Sequence, residues 1–536
     1  MRIAPLAFAL LLAPLSAHAA EPLSLAQIMA DPDWIGPSVE EAWWRWDGKA
    51  VDYTLKRAGA SLRDTWQQPL DGTAAKVGDA DRANLDASDA VVDASGTRIA
   101  FVRNGDVFVR DLRNGALTQL TRSNDGESRL QWGSDGALVW RGGDSTWYRW
   151  NGQVVAQAAQ LEADDAPGTA PKDDSLRDRQ LRLMRTLADD KAQRDAAREE
   201  NETRRRADPS RAPAPLYLGK DVDIVDSSLS PDGRWLLAVT TEKGADAGKA
   251  GKLQKFVTES GYEEQEEERT RVGRNDPLPQ KLWLADVASG KVSELEFDPL
   301  PGIAADPLAA LRKAAGKDAL KGNRPLQVAT SGDNGDAPSI RWSGDSRNVA
   351  VMLRAIDNKD RWIASVDFAN ARLQPRHRLH DDAWINWEFN EFGWLPDNRT
   401  LWYLSEESGY SHLYAVDAGR PDGAKRTQLT DGKWETSQVA VSRDGKGFYF
   451  LCNRDRPIDY EVCQVPAGGG AVREVTSVDG VENFVQSPDG SKLLVRHSSA
   501  YLPPQLAVVD ADGGNARELT DTRSAAFKAI DWIQPE

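Results

Sequence analysis

One short phrase recurs from one end of this chain to the other, and it leaves few folds open. It runs as a Ser-x-Asp-Gly turn, an apolar strand, a second strand ending in Val-Asp, and then Leu-Thr. It reads Asp93-Ala94-Ser95-Gly96 with Ile99-Ala100-Phe101-Val102, Val107-Phe108-Val109-Arg110-Asp111 and Gln119-Leu120-Thr121. It returns at Ser230-Pro231-Asp232-Gly233, Trp394-Leu395-Pro396-Asp397-Asn398, Ser442-Arg443-Asp444-Gly445 and Ser487-Pro488-Asp489-Gly490. Strands of period two around an Asp-Gly turn, repeated at this length, predict an all-β chain built as a β-propeller. Blades are expected near 43–55, 90–121, 130–155, from 222, and near 339–380, 382–430, 436–476 and 481–521, about eight in all. The 19 Trp residues are suited to anchor one blade on the next.

The repeat is interrupted in three places. Residues 161–213 are highly charged and lack β-branched runs. There, Leu176, Leu183, Met184 and Leu187 fall at helical spacing behind a capping Asp173-Asp174-Ser175, so a helical insertion on the propeller surface is expected. Residues 252–276 lie inside the fourth blade and read as an extended hairpin arm. Its run Glu263-Glu264-Gln265-Glu266-Glu267-Glu268 reads as an exposed tip or as a holder of a cationic ligand. Residues 298–338 are a Pro/Gly/Ala-rich connection with a short helical piece around 308–317.

Charge and compartment narrow the partners. The net charge is −16, so nucleic acid is excluded as a partner, because phosphate binding needs clustered positive charge. Residues 1–19 hold Arg2, an apolar run from Ile3 to Leu15 and Ala17-His18-Ala19, the pattern of a secretory signal peptide. The run is too short to stay as a membrane span. A periplasmic or secreted protein, beginning near Ala20 and without a span once the signal is removed, is therefore expected. Cys452 and Cys463 flank a turn between runs that read as paired strands. Across such a hairpin, in an exported compartment, they are expected to form a disulfide; two buried free thiols are the alternative.

Catalytic motifs are missing from these residues. A Ser-His-Asp hydrolase needs a Gly-x-Ser-x-Gly elbow, and the 536 residues contain none. Gly143-Asp144-Ser145-Thr146-Trp147 and Gly409-Tyr410-Ser411-His412 are the nearest fragments. His377 and His380 lie three apart, but their surroundings suit a solvated strand end better than a metal site. Gly468-Gly469-Gly470 reads as a turn, since no Lys-Ser/Thr follows it. No catalytic, metal or cofactor residue is assigned, and no cofactor is expected. Glu406-Glu407 sits in the hairpin Glu406-Glu407-Ser408-Gly409-Tyr410, where turn chemistry and recognition of an ammonium group are both open readings.

Four phrases together carry a family resemblance. They are Val257-Thr258-Glu259-Ser260-Gly261-Tyr262 with Arg271-Val272-Gly273; Ser405 through Tyr414; Asn453-Arg454-Asp455-Arg456-Pro457; and Pro503-Pro504-Gln505-Leu506-Ala507-Val508 through Ile530-Asp531-Trp532-Ile533-Gln534-Pro535-Glu536. In this order they resemble the N-terminal β-propeller of exported bacterial serine peptidases of the prolyl oligopeptidase and dipeptidyl peptidase IV type. The resemblance implies a propeller over 20–536 that gates peptides toward an α/β-hydrolase domain, supplied in cis or from a split gene and absent from this chain. Such peptidases hold the substrate amino terminus with a Glu-Glu pair before the fourth-blade Ser-Pro turn. Here that stretch reads Leu218-Gly219-Lys220-Asp221-Val222-Asp223-Ile224, without the pair, so dipeptide release is not expected. A standalone exported TolB-like propeller that binds or scaffolds shares the repeat. A propeller glycosidase or lyase would instead need paired inward carboxylates.

Overall fold

The Ser-x-Asp-Gly phrase closes the first hairpin of a blade, and its side chains show why. Ser230 Oγ donates to Asp232 Oδ1 and accepts from Trp235 N (2.9 Å), while Asp232 Oδ1 accepts from Arg234 N (3.0 Å). The same three bonds recur at Ser343/Asp345, Ser442/Asp444 and Ser487/Asp489. Gly233 sits at φ +78°, a conformation that costs glycine nothing. The turn thus satisfies its own backbone and fixes the register of the strands that follow it.

The structure is a computed structural model, and it describes residues 23–169, 175–208, 210–244, 249–270, 277–328, 339–420 and 426–533. The expected leader at 1–19 and residues 271–276 of the arm lie outside the described residues, as does the Asp173-Asp174 cap. Among the described residues, eight antiparallel blades follow one another: 39–76, 91–119, 127–162, 222–294, 326–380, 392–428, 436–474 and 481–518. We number them 1 to 8. Each is a four-stranded meander; blade 3 adds the short parallel strand Leu216–Tyr217, and blade 5 splits its innermost strand into Leu326–Val328 and Ile340–Trp342.

The core lies between blades. Leu237 and Val239 of blade 4 pack with Val351 and Trp362 of blade 5, and Trp402 and Leu404 of blade 6 with Phe448 and Phe450 of blade 7. Each such side chain contributes roughly 1.5–3 kcal/mol by leaving water. The tryptophans add direction. Trp132, Trp342 and Trp394 each end an innermost strand and donate their indole N–H to the preceding blade, at Val91 O (3.0 Å), Ser228 Oγ (3.0 Å) and Arg341 O (2.8 Å). Trp44 makes the same contact across the seam, to Val485 O of blade 8 at 2.9 Å. The ring therefore closes through packing of blade 8 on blade 1, with Leu494, Leu506 and Val508 against Val39, Val51 and Tyr53. Both chain ends reinforce the seam: Ser524 N donates to Ile35 O (2.9 Å), and Trp34 packs on Phe527.

Strand order sorts the loops onto two faces. The Asp-Gly turns and the links between third and fourth strands share one face. The links between second and third strands, and every blade-to-blade connection, share the other. That second face carries the helical insertion, the arm, the connection after blade 4 with its helix Ala309–Ala314, segment 381–391, and both ends of the described chain. We call it the insertion face.

The insertion differs in detail from its sequence pattern. Its helices are Ser175–Leu183 and Arg185–Ala207, because Met184 is extended (φ −113°, ψ 97°) and breaks the run. Leu176, Leu183, Met184 and Leu187 are all exposed rather than seated on the propeller. Charge pairs one turn apart, Lys191 and Arg198 on Asp195, support the second helix instead. The strand before the insertion runs to Glu162. The arm pairs Ala250–Lys255 with Glu264–Thr270, and Lys255 bridges Glu266, one of the acidic run.

Candidate functional site

Blades 5 and 6 bring charged groups together on the insertion face. Arg361, on the third strand of blade 5, is 1 % exposed. Its guanidinium donates to Phe389 O (2.6 Å), Asn390 Oδ1 (2.9 Å) and Leu404 O (2.7 Å), which pins segment 381–391 against blade 6. Burial pushes it down to about 10, with Glu406 and Glu407 nearby opposing that shift. Glu406 lies within the field of this buried cation. Its own pKa is raised, chiefly by burial and further by Glu435 and Asp381, while a hydrogen bond from Asn386 and the charge of Arg361 oppose the rise. Tyr460 OH donates to Glu435 Oε2 at 3.4 Å. Trp384, in segment 381–391, and Tyr410, in the same hairpin as Glu406, are exposed. Half-buried acids suit a cationic group such as a peptide ammonium.

Glu407 plays a different part. Its Oε2 lies 2.7 Å from His377 Nε2 and 3.3 Å from Arg426 Nη1. His377 is buried on the fourth strand of blade 5, not at a solvated strand end as its sequence suggested, and its ring packs tilted against Tyr403, with centroids 4.5 Å apart. His380, at the end of that strand, does face solvent in part; its Nδ1 lies 3.1 Å from the buried Asp360, which also takes Arg324 (2.7 Å) and Arg378 (2.6 Å).

A Ser, a His and a Glu meet here, yet the geometry is not that of a hydrolase relay. Ser405 Oγ approaches the same Nε2, at 3.5 Å, that Glu407 binds. A relay needs serine and acid on opposite ring nitrogens, and His377 Nδ1 is buried without a partner among the described residues. Ser405 is also wholly buried. Ser411 is equally buried and donates to Thr436 O, and His412 is fixed by Thr430 Oγ1 and Gly432 O. His497 bonds Glu518 Oε2. Ser145 lies in a hairpin turn of blade 3, and Gly468-Gly469-Gly470 follows the strand Asp459–Pro466 as a turn. Residues 218–224 enter blade 4 with Asp221 and Asp223 as their only acids.

Cys452 and Cys463 are disulfide-bonded, with Cα atoms 5.9 Å apart. They sit diagonally rather than directly opposite, since Cys452 faces Glu461 and Cys463 faces Phe450. The strands extend past the expected turn, to Arg456 and from Asp459.

A second region was not singled out from sequence. A cavity of about 810 Å³ runs from the Asp-Gly turns into the centre of the ring, with Arg129, Arg341 and Glu391 on its inner wall. The signal for these residues is spread over blades 3, 5 and 6, far apart in the chain.

Residues 323–504 match the family model described as the dipeptidyl peptidase IV N-terminal region. Two solved structures share the fold. One is dipeptidyl peptidase 4 of Porphyromonas gingivalis, at TM-score 0.52 and 13 % identity, covering 95 % of this chain and 63 % of that one. The other, described as a dipeptidyl aminopeptidase IV of Bacteroides ovatus, gives 0.51 and 12 %, covering 92 % and 62 %. The chain thus spans a little over three-fifths of the length of either. Fold and family match agree: this chain is a β-propeller that resembles the N-terminal propellers of dipeptidyl peptidase IV-type proteins, with the model match confined to residues 323–504.

Proposed function

We propose that this chain is the substrate-gating propeller of a secreted serine peptidase of the prolyl oligopeptidase and dipeptidyl peptidase IV type. The ring admits short or unfolded peptides and excludes folded proteins, because a narrow opening cannot pass a packed domain. Bond cleavage falls to an α/β-hydrolase domain, in cis or from a second gene, seated on the insertion face.

The observation that carries this reading is the gathering of function-bearing parts on one face. Glu406, in the field of the buried Arg361, the arm, the helical insertion and both described chain ends all lie there. A partner domain on that face would enclose Glu406 and Glu435 and raise their grip on a peptide cation. The Cys452–Cys463 bond is consistent with an oxidising, exported compartment. Among the described residues, no helix is long and apolar enough to cross a membrane.

The test uses the purified chain with an unfolded peptide and a chromogenic prolyl substrate. Peptide binding without turnover is expected, with Glu406→Gln weakening binding of a free-amine peptide about tenfold relative to its acetylated form. Hydrolysis that disappears on mutating a serine of this chain would overturn the assignment of catalysis to another domain.

A further inference from the structure

The inner wall of the central cavity holds more cation than it can pair. Arg129 ends one side of an ion pair with Asp226 (3.2 Å), and Arg141 takes the other carboxylate oxygen of Asp226 at 2.9 Å. Glu391 spends both oxygens on the backbone N–H groups of Gln438 and Val439, each at 2.6 Å. Arg341 is left over. Its Nε is buried without a hydrogen-bond partner among the described residues, and so is Nη1 of Arg129. Neither Asp226 nor Glu391 therefore has an oxygen bonded to Arg341. Arg443, at the mouth of the cavity, adds a cation whose guanidinium donates to the carbonyl groups of Gln486 and Ser487.

The backbone is shaped for this. Arg129 lies at φ +60° beside a register shift in blade 3, and Gln438 at φ +49° beside one in blade 7. Bulges of this kind re-aim side chains, and they cluster near functional sites. Burial and the charge of Arg129 push Arg341 down to about 10, with Glu391 opposing. A buried N–H without a partner is costly, and a carboxylate can satisfy a guanidinium bidentately.

We propose that Arg341 and Arg129 form a carboxylate-binding site on the wall of the central cavity, which receives the carboxylate of a peptide held in the ring. The peptide part of this inference rests on the function proposed above; the carboxylate part does not. Trp342, Trp394 and Trp402 line the same cavity and provide an apolar wall and a fluorescence signal.

The experiment titrates the whole chain with glutarate, and with one unstructured peptide as its free acid, as its C-terminal amide, and as an amide carrying an internal Glu. Glutarate should bind in wild type and weaken at least tenfold in Arg341→Met, with Arg341→Lys between. The free acid should bind about tenfold more tightly than the plain amide. Recovery by the internal Glu assigns the site to side-chain carboxylates as well, and no recovery to the chain terminus alone; either supports the site. Equal binding of acid and amides, with glutarate unaffected by Arg341→Met, overturns the inference while leaving peptide gating intact. Glutarate binding that depends on Arg341, with no peptide bound, keeps the site and overturns the gating. Should Arg341→Met fail to fold, the acid-to-amide comparison on wild type decides alone.

Discussion

Glu407 Oε2 lies 2.7 Å from Nε2 of His377, yet burial outweighs that carboxylate and keeps the imidazole neutral. Burial pushes His377 down to about 4, with the Glu407 bond opposing and Arg361 assisting. In the unfolded chain the same ring titrates near 6.5. Between these values the unfolded state binds the extra proton, so stability is full above about pH 6.5 and is lost as pH falls toward 4. The loss amounts to about 3 kcal/mol for this group. Thermal melts of wild type should therefore steepen against pH over that interval, and those of His377→Gln should be flatter. Parallel curves would show that His377 does not titrate as described.

Asp86 and Arg110 form a deeply buried ion pair, at 2.8 Å with both side chains under 5 % exposed. Arg110 also donates to Asn84 O and Gly115 O, and Asp86 accepts from Trp46 N, so the pair ties the blade 1 to blade 2 connection to both blades. Removing one partner leaves the other charge buried. Arg110→Met should cost about 3–5 kcal/mol by urea denaturation, and Arg110→Met with Asp86→Leu considerably less. A double variant as unstable as the single one contradicts this account.

The Cys452–Cys463 bond closes a short loop, with a separation of 11 residues. Chain entropy assigns such a loop about 2–3 kcal/mol. Cys452→Ser should lower the melting temperature by a few degrees, and reductant should bring wild type to the same value. Wild type that melts identically with and without reductant would argue against a stabilising bond.

Much of the ring was legible because each blade repeats its own local chemistry. Ser442, Asp444 and Gly445 name their turn through bonds that span five residues or fewer, and those are what a repeat shows. The seam was not legible, since Trp44 and Val485 meet only through closure of the whole ring. The same holds for both candidate sites. Glu406 could be read as a turn residue, but the buried Arg361 whose field it feels comes from another blade, and Arg129 and Arg341 lie over 200 residues apart. Leu176 and Leu183 misled for the opposite reason: periodicity records an apolar face whether or not anything covers it.

The seam offers a last test through Gly36. This residue takes φ +109°, and a Cβ there would lie 2.2 Å from Thr522 O and 2.8 Å from Ser524 N. The neighbouring bond from Ser524 N to Ile35 O cannot survive that clash. Gly143 provides the control, because its φ is +60° but nothing lies within 4 Å of a Cβ. Gly143→Ala should cost only backbone strain, about 1 kcal/mol. Gly36→Ala should cost about 2–4 kcal/mol, strain plus a lost latch, and should expose residues after 520 to limited proteolysis. Equal costs for the two variants, with the C-terminal segment still protected, would mean that the chain ends do not hold the ring closed.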